Sequence, residues 1–324
     1  MKRIDLVNSI NSFLEKIDLT PPDSAEHLTH LYADYVELML LFSRGTIFTT
    51  GEVLDRFKEK NIINQVKYSE DQAQQNDSNE RRIDEIFLVL EDRAQHYGSD
   101  YPFLFQHRSI SFLPNLSERQ KIYLYLLISS NLNIFTKYYS NLTTDFEEVS
   151  YQALVNFLPQ PAIVKAFGKK TKYKGVAAEK IRKLANEVQV LVDEEALARI
   201  SNKGKMERGL DIIGWFPFKD WVGNKLVVLA QCTCEKNWFK KQHEVKRYKN
   251  YFKFYRVIPN AALFIPYALV DFQRNGFYQG DELDETLLFE RRRILNNLTN
   301  LDFFDKLDSK VIVDKCLELE VDIV

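Results

Sequence analysis

Two polar side chains interrupt apolar, strand-like stretches of this sequence, and both are of types that hold a hard divalent cation. Asp211 lies in Gly209-Leu210-Asp211-Ile212-Ile213-Gly214-Trp215. Gln231 is the penultimate residue of Lys225-Leu226-Val227-Val228-Leu229-Ala230-Gln231-Cys232. Pro217, Lys219-Asp220 and Gly223-Asn224 make a turn between them, so the two strands are expected to be neighbours. A carboxylate and an amide oxygen are enough to anchor Mg2+ or Mn2+, which takes oxygen ligands and retains several waters. Such an ion acidifies a bound water and stabilises charge developing on a phosphodiester.

The flanking charge points to a polyanion. Residues 165–183 hold eight basic side chains against one acid, Glu179. Residues 236–256 hold eight more against Glu244, interleaved with Tyr248, Tyr251, Phe252, Phe254 and Tyr255. Both segments are read as carrying helices. Neutralisation of phosphates by Lys and Arg gives sequence-independent affinity for nucleic acid. Lys170, Lys172, Lys174, Lys240, Lys241 and Arg247 are the expected contacts. Each of these residues also has an ordinary structural reading. Asp211 can cap a turn at a strand end, and Gln231 can be a satisfied core amide. The Cys232-x-Cys234 pair supplies two ligands where a structural zinc needs four. Arg291-Arg292-Arg293 reads as a solvated helix face balanced by Glu290.

With Asp211 on one strand, Gln231 on the next and Glu179 on a preceding helix, the chain resembles the PD-(D/E)XK, or restriction-endonuclease-like, nucleases. More narrowly, it resembles a bacterial branch of that superfamily. The resemblance covers about 100 residues. It implies an α/β fold with an αβββαβ core and a metal held by Asp211 and Gln231. It also implies hydrolysis of DNA phosphodiester bonds with Mg2+ or Mn2+, in a bacterial defence or restriction setting. Glu179 would match the helix acid. The second-strand motif, (E/Q)-x-K, is met here by Gln231-Cys232-Thr233, with Thr233 in the place of the lysine. Lys236, just past the strand, is the favoured replacement, and Lys240 and Lys241 are the alternatives. If none of them serves, the chain is a catalytically degenerate relative that acts as a nucleic-acid-binding or scaffold subunit.

The elements that must position these residues follow from periodicity. Residues 1–19 and 24–43 read as amphipathic helices, parted by Thr20-Pro21-Pro22-Asp23. Thr49 to Phe57 opens a helix with a capping box, and the polar run 66–80 reads as a loop. Glu80–His96 has an apolar stripe of Ile83, Ile86, Phe87, Leu90 and Ala94, and two short strands, Tyr101–Phe105 and Ser109–Leu113, make a hairpin. That order suggests a winged helix over about 30–113, serving DNA contact or protein docking. The charges on the 50–60 helix are balanced, which favours a protein partner.

Residues 117–157 read as a helical connector broken by Pro159 and Pro161. The expected domains are therefore 1–115, 116–160 and 161–324. Ala261–Ile265 reads as a further strand and Leu287–Leu295 as a helix. The longest apolar runs fall far short of a membrane span. Three cysteines and no apolar leader suggest a cytoplasmic protein. There is no Walker A sequence, so any ATP-driven translocation would come from a partner ATPase or helicase. A homodimer is the other expected assembly, since one site cuts one strand.

Overall fold

The computed structural model describes residues 3–22, 28–43, 45–63, 72–169, 171–200 and 208–319. The chain begins with helices Arg3–Leu14 (α1) and Thr29–Phe42 (α2), followed by strand Ile47–Thr49 (β1) and helix Thr50–Glu59 (α3). The capping box at its start is present. The Glu52 N–H donates to Thr49 Oγ1 at 3.3 Å, and the Thr49 N–H donates to Glu52 Oε2 at 2.7 Å. This reciprocal pair satisfies donors that a helix start leaves open.

Helix Gln72–Tyr97 (α4) begins earlier than expected, so residues 72–80, read as loop, are helical; residues 66–71 lie outside the described residues. Ala, Gln and Glu in this stretch are good helix formers, and the buried stripe downstream anchors the helix onto which they propagate. Strands Phe103–Gln106 (β2) and Ser109–Phe112 (β3) form the expected hairpin, and β3 lies between β1 and β2 in an antiparallel sheet. Helix Glu118–Ser129 (α5) also starts with a capping box, between Ser117 and Gln120.

Helix Tyr139–Phe157 (α6) leads to strand Ile163–Ala166 (β4), and helices Ala177–Val188 (α7) and Glu194–Ala198 (α8) follow. Then come strands Ile212–Trp215 (β5), Val227–Cys232 (β6) and Asn260–Phe264 (β7), the small pair Val270–Asp271 (β8) and Gly276–Phe277 (β9), and strand Thr286–Phe289 (β10). Helices Arg291–Asn296 (α9) and Asp308–Glu318 (α10) close the chain. The protein is thus a mixed α/β protein, as expected, and no described helix is long and apolar enough to cross a membrane.

Two compact units result. The first comprises Met1–Thr136, Ala268–Tyr278 and Asp305–Val324, and the second Lys137–Tyr267 and Gln279–Phe304. The expected connector is shared between them, α5 in the first and α6 in the second. In the first unit, buried Arg93 donates to Glu37 Oε1 at 2.7 Å and to the His30 carbonyl at 3.0 Å, and it pairs with Asp34 at 2.8 Å. The hydroxyls of Tyr101 and Tyr123 also donate to Glu37, at 2.8 and 3.0 Å.

In the second unit the sheet order is β10-β7-β6-β5-β4. Strands β4, β5 and β6 form an antiparallel meander, while β7 and β10 run parallel to β6. Helix α6 covers one face. There Gly214 allows close approach, since a Cβ on it would stand 2.5 Å from Leu158 Cδ1. The other face buries Ile213, Trp215, Val227 and Leu229 against Ile181, Leu184 and Val188 of α7 and against Val245, Tyr248 and Phe252.

Three expectations fail here. The helix expected over 236–256 is instead two short 3-10 segments, Trp238–Lys241 and Val245–Asn250. Tyr248, Tyr251, Phe252 and Phe254 are all buried, so their packing sets the backbone path in place of a 3.6-residue period. The helix expected over 287–295 is strand β10 followed by α9, because Leu288 and Phe289 fill the slot beside β7. Finally, 163–166 is a strand, which moves α7 from before the meander to inside it.

Candidate functional site

Asp211 sits at the start of β5, where its backbone and side chain stitch three segments together. Its N–H donates to the Ala230 carbonyl at 3.0 Å, and its own carbonyl accepts from the N–H groups of Phe167 at 2.7 Å and Gly168 at 2.9 Å. Carboxylate atom Oδ2 accepts from the Cys232 N–H at 2.8 Å. The side chain thus takes over a backbone donor at the end of the β5–β6 ladder. This gives the Asp a structural role and also fixes its second oxygen, Oδ1, in position.

That oxygen faces another acid. Glu147, from the middle of α6, accepts from the Lys169 N–H through Oε2 at 2.7 Å. A Cβ on Gly168 would overlap Glu147 Oε2 and stand 2.9 Å from Asp211 Oδ1. The two carboxylates therefore converge on the space that the missing side chain of Gly168 leaves open. Glu147, and not Glu179, is the helix acid that meets Asp211. The reason is topological: α6 directly precedes the first strand of the meander, whereas α7, carrying Glu179, is inserted between β4 and β5. Glu179 is exposed and folds over Gly175.

Gln231 is buried, but its amide turns elsewhere. Alternation along β6 places it with Val227 and Leu229 on the face covered by Val245 and Tyr248. Its Nε2 donates to Glu244 Oε2 at 2.9 Å, and its Oε1 is buried without a hydrogen bond. The next residue, Cys232, faces the carboxylate pair. Burial pushes its thiol well up, and the Asp211 and Glu147 carboxylates add to the shift. Burial likewise raises the Cys234 thiol, against the opposing charge of Lys169. Thr233 is buried, donates its N–H to the Phe264 carbonyl at 3.0 Å and accepts from the Glu235 N–H at 3.1 Å.

Of the lysines expected to replace the motif lysine, Lys236 and Lys240 are exposed beyond the end of β6. Lys241 is 3.4 Å from both Glu235 and Glu244. Lys169, one of the eight basic residues of 165–183, lies beside the carboxylates. Its backbone holds Glu147, and its Nζ donates to Thr143 Oγ1 at 2.9 Å. Among the expected phosphate contacts, Lys172, Lys174 and Arg247 are exposed, and Lys170 lies outside the described residues. The Lys174 carbonyl accepts from Lys183 Nζ at 3.0 Å. Arg291 is fully buried and donates to the Pro266 carbonyl at 2.9 Å, whereas Arg292 is half-buried and Arg293 exposed, so the solvated-face reading fails at Arg291.

Glu147 was legible in one respect: it lies in a Glu147-Glu148 pair on the helix before a Gly168-Lys169 step. Recognising it required knowing that 163–166 is a strand. Among the described residues no group of three or more His, Cys, Asp and Glu side chains is disposed to hold a metal ion. What the pair offers is two carboxylates across a glycine cradle, a donor set that suits a hard cation keeping most of its waters. Comparison of the chain with family models, with curated proteins and with solved structures gives no match.

Proposed function

We propose that this chain is a divalent-cation-dependent nuclease of the PD-(D/E)XK kind, hydrolysing phosphodiester bonds of DNA. The observation that carries the reading is the meeting of Glu147 and Asp211 at Gly168. Element order supports it: a helix, an antiparallel three-strand meander and a parallel fourth strand follow the αβββαβ scheme, with 3-10 turns where the second helix would stand. Glu147 and Asp211 would hold Mg2+ or Mn2+, which when bound supplies Lewis-acid polarisation and a more acidic water. Lys169 orients Glu147 through its N–H and keeps a positive charge beside the acids. This gives it the role first assigned to Lys236, and Glu147 the role first assigned to Glu179.

In the first unit the order α2, β1, α3, α4, β2, β3, with β1 paired to β3, supports a winged helix. We assign it to docking, with a partner ATPase or a second copy as the candidates, in a bacterial defence setting.

A purified sample should nick labelled DNA in Mg2+ or Mn2+ and stay inert in EDTA. Asp211→Asn and Glu147→Gln should each slow cleavage by roughly 100-fold or more, as expected when a group that stabilises transition-state charge is lost. Wild-type rates in both variants would overturn the assignment. One observation favours a second reading, a nuclease fold without catalysis that serves as a binding subunit. The thiols of Cys232, at the end of β6, and of Cys234, just past it, lie near enough to the acids to feel their charge, and Thr233 replaces the lysine. Absence of metal-dependent cleavage of single- and double-stranded DNA and RNA, with DNA binding retained, would select it.

A further inference from the structure

The end of β5 and β6 remote from Asp211 carries a surface that the nuclease reading does not use. The β5–β6 turn and the segment before β7 are packed backbone to backbone there, because a Cβ on Gly223 would overlap the Lys253 carbonyl and stand 3.0 Å from Phe254 Cα. Beneath the turn, buried Lys225 donates to the carbonyls of Val188 and Gln189 at 3.2 Å each and of Asp220 at 3.1 Å. On this support stand three exposed aromatic side chains: Phe218 is 63%, Trp221 48% and Tyr255 72% accessible. The same two segments carry exposed cations, Lys219 in the turn and Lys249, Lys253 and Arg256 in the segment before β7, with Asp220 the acid of the turn.

Lys219 and Tyr255 both hold left-handed backbone, at φ 59° and 54°. Bulky side chains rarely adopt that conformation, and it is kept only where the surroundings enforce it. The backbone that carries the aromatics is thus held by the Gly223 packing and by Lys225. Of the five aromatics interleaved with the basic run at 248–255, four went into the core and only Tyr255 points outward.

We propose that this surface binds single-stranded nucleic acid, its bases stacking on Trp221, Tyr255 and Phe218 and its phosphates lying against Lys253, Arg256, Lys219 and Lys249. Rings with cations on the same segments suit unpaired bases, since every base has a stacking face and every phosphate a negative charge. A duplex hides those faces. The four residues of β5, about 13 Å of strand, separate this surface from the carboxylate pair. Binding here is thus separable from the proposed cleavage, which this inference does not require.

The test is fluorescence anisotropy in EDTA with labelled oligo-dT of 20 nucleotides and with a 20-base-pair duplex, over a range of KCl. Wild-type protein and the Asp211→Asn variant should bind the single strand more tightly than the duplex. Trp221→Ala/Tyr255→Ala should weaken single-strand binding at least 10-fold, in line with stacking losses of roughly that size per base. Lys253→Gln/Arg256→Gln should lower both the affinity and its salt dependence. Circular dichroism confirms folding, which is expected because all four side chains are exposed. Duplex preference, or unchanged single-strand affinity in both double variants, overturns the proposal. So does a gel-filtration dimer that the aromatic variant abolishes while nucleic-acid affinity is unchanged, since a second copy would then be the occupant. Loss of cleavage in Asp211→Asn with single-strand binding intact supports both readings independently.

Discussion

Gly168 is where residue type matters most in the second unit. It has no need of left-handed backbone, so its lack of a side chain serves space alone: its Cβ position is already taken by Glu147 Oε2 and approached by Asp211 Oδ1 at 2.9 Å. Gly168→Ala must push the two carboxylates apart or shift the backbone. Overpacking of this kind costs about 1–3 kcal/mol. The expected outcome is a lower unfolding midpoint, with Mn2+ affinity and cleavage falling by more than the stability loss accounts for. Unchanged Mn2+ binding, measured by calorimetry, would show that the acids do not share an ion. At this scale Asp211 was legible because an acid within Leu210–Trp215 has no reason to be there unless something binds it. Glu147 was legible only as one of an acidic pair, because an acid on an amphipathic helix otherwise looks like any solvated glutamate.

Among the elements, the β5–β6 turn rests on a single buried cation. Lys225 is 2% exposed, burial pushes its ammonium down, and its three carbonyl partners come from the end of α7 and from the turn itself. Lys225→Met keeps most of the apolar stem and deletes the amine, leaving carbonyls at the edge of the core short of a donor. An unsatisfied buried group costs about 1–3 kcal/mol. We expect destabilisation of that order in urea, together with faster proteolysis within 216–226. Loss of stability without any change in proteolysis would place the effect elsewhere. Elements built from local signals were readable in advance: the capping box at Thr49, the β2–β3 hairpin, and β6 from its apolar run. Segments whose form depends on distant partners were not. Residues 238–250 turn in 3-10 steps because Tyr248 and Val245 must reach the sheet, and 286–289 extends because β7 offers an edge.

For the molecule as a whole, each unit has its own means of cohesion. The first gathers α2, α4, α5 and the approach to β2 around Arg93, which pairs with Glu37 and Asp34 while Tyr101 and Tyr123 satisfy Glu37. Removing one partner of a buried ion pair strands the others and costs about 3–5 kcal/mol. Arg93→Met should therefore unfold the first unit at lower denaturant. If the two units unfold independently, the transition becomes biphasic, and hydrogen exchange then shows the sheet of the second unit still protected. A single transition shifted as a whole would show that the units unfold together. By itself the sequence determined that the protein is mixed α/β, where the capped helix α3 starts, and that Asp211 was an acid out of place, because these depend on neighbours a few residues away. Only the tertiary structure decided that Glu147 and not Glu179 faces it, that the Gln231 amide turns to Glu244, and that Tyr255 alone of five aromatics reaches the surface. Those outcomes depend on which strand lies beside which and which face of it is covered, and that is settled by burial across the fold rather than by spacing along the chain.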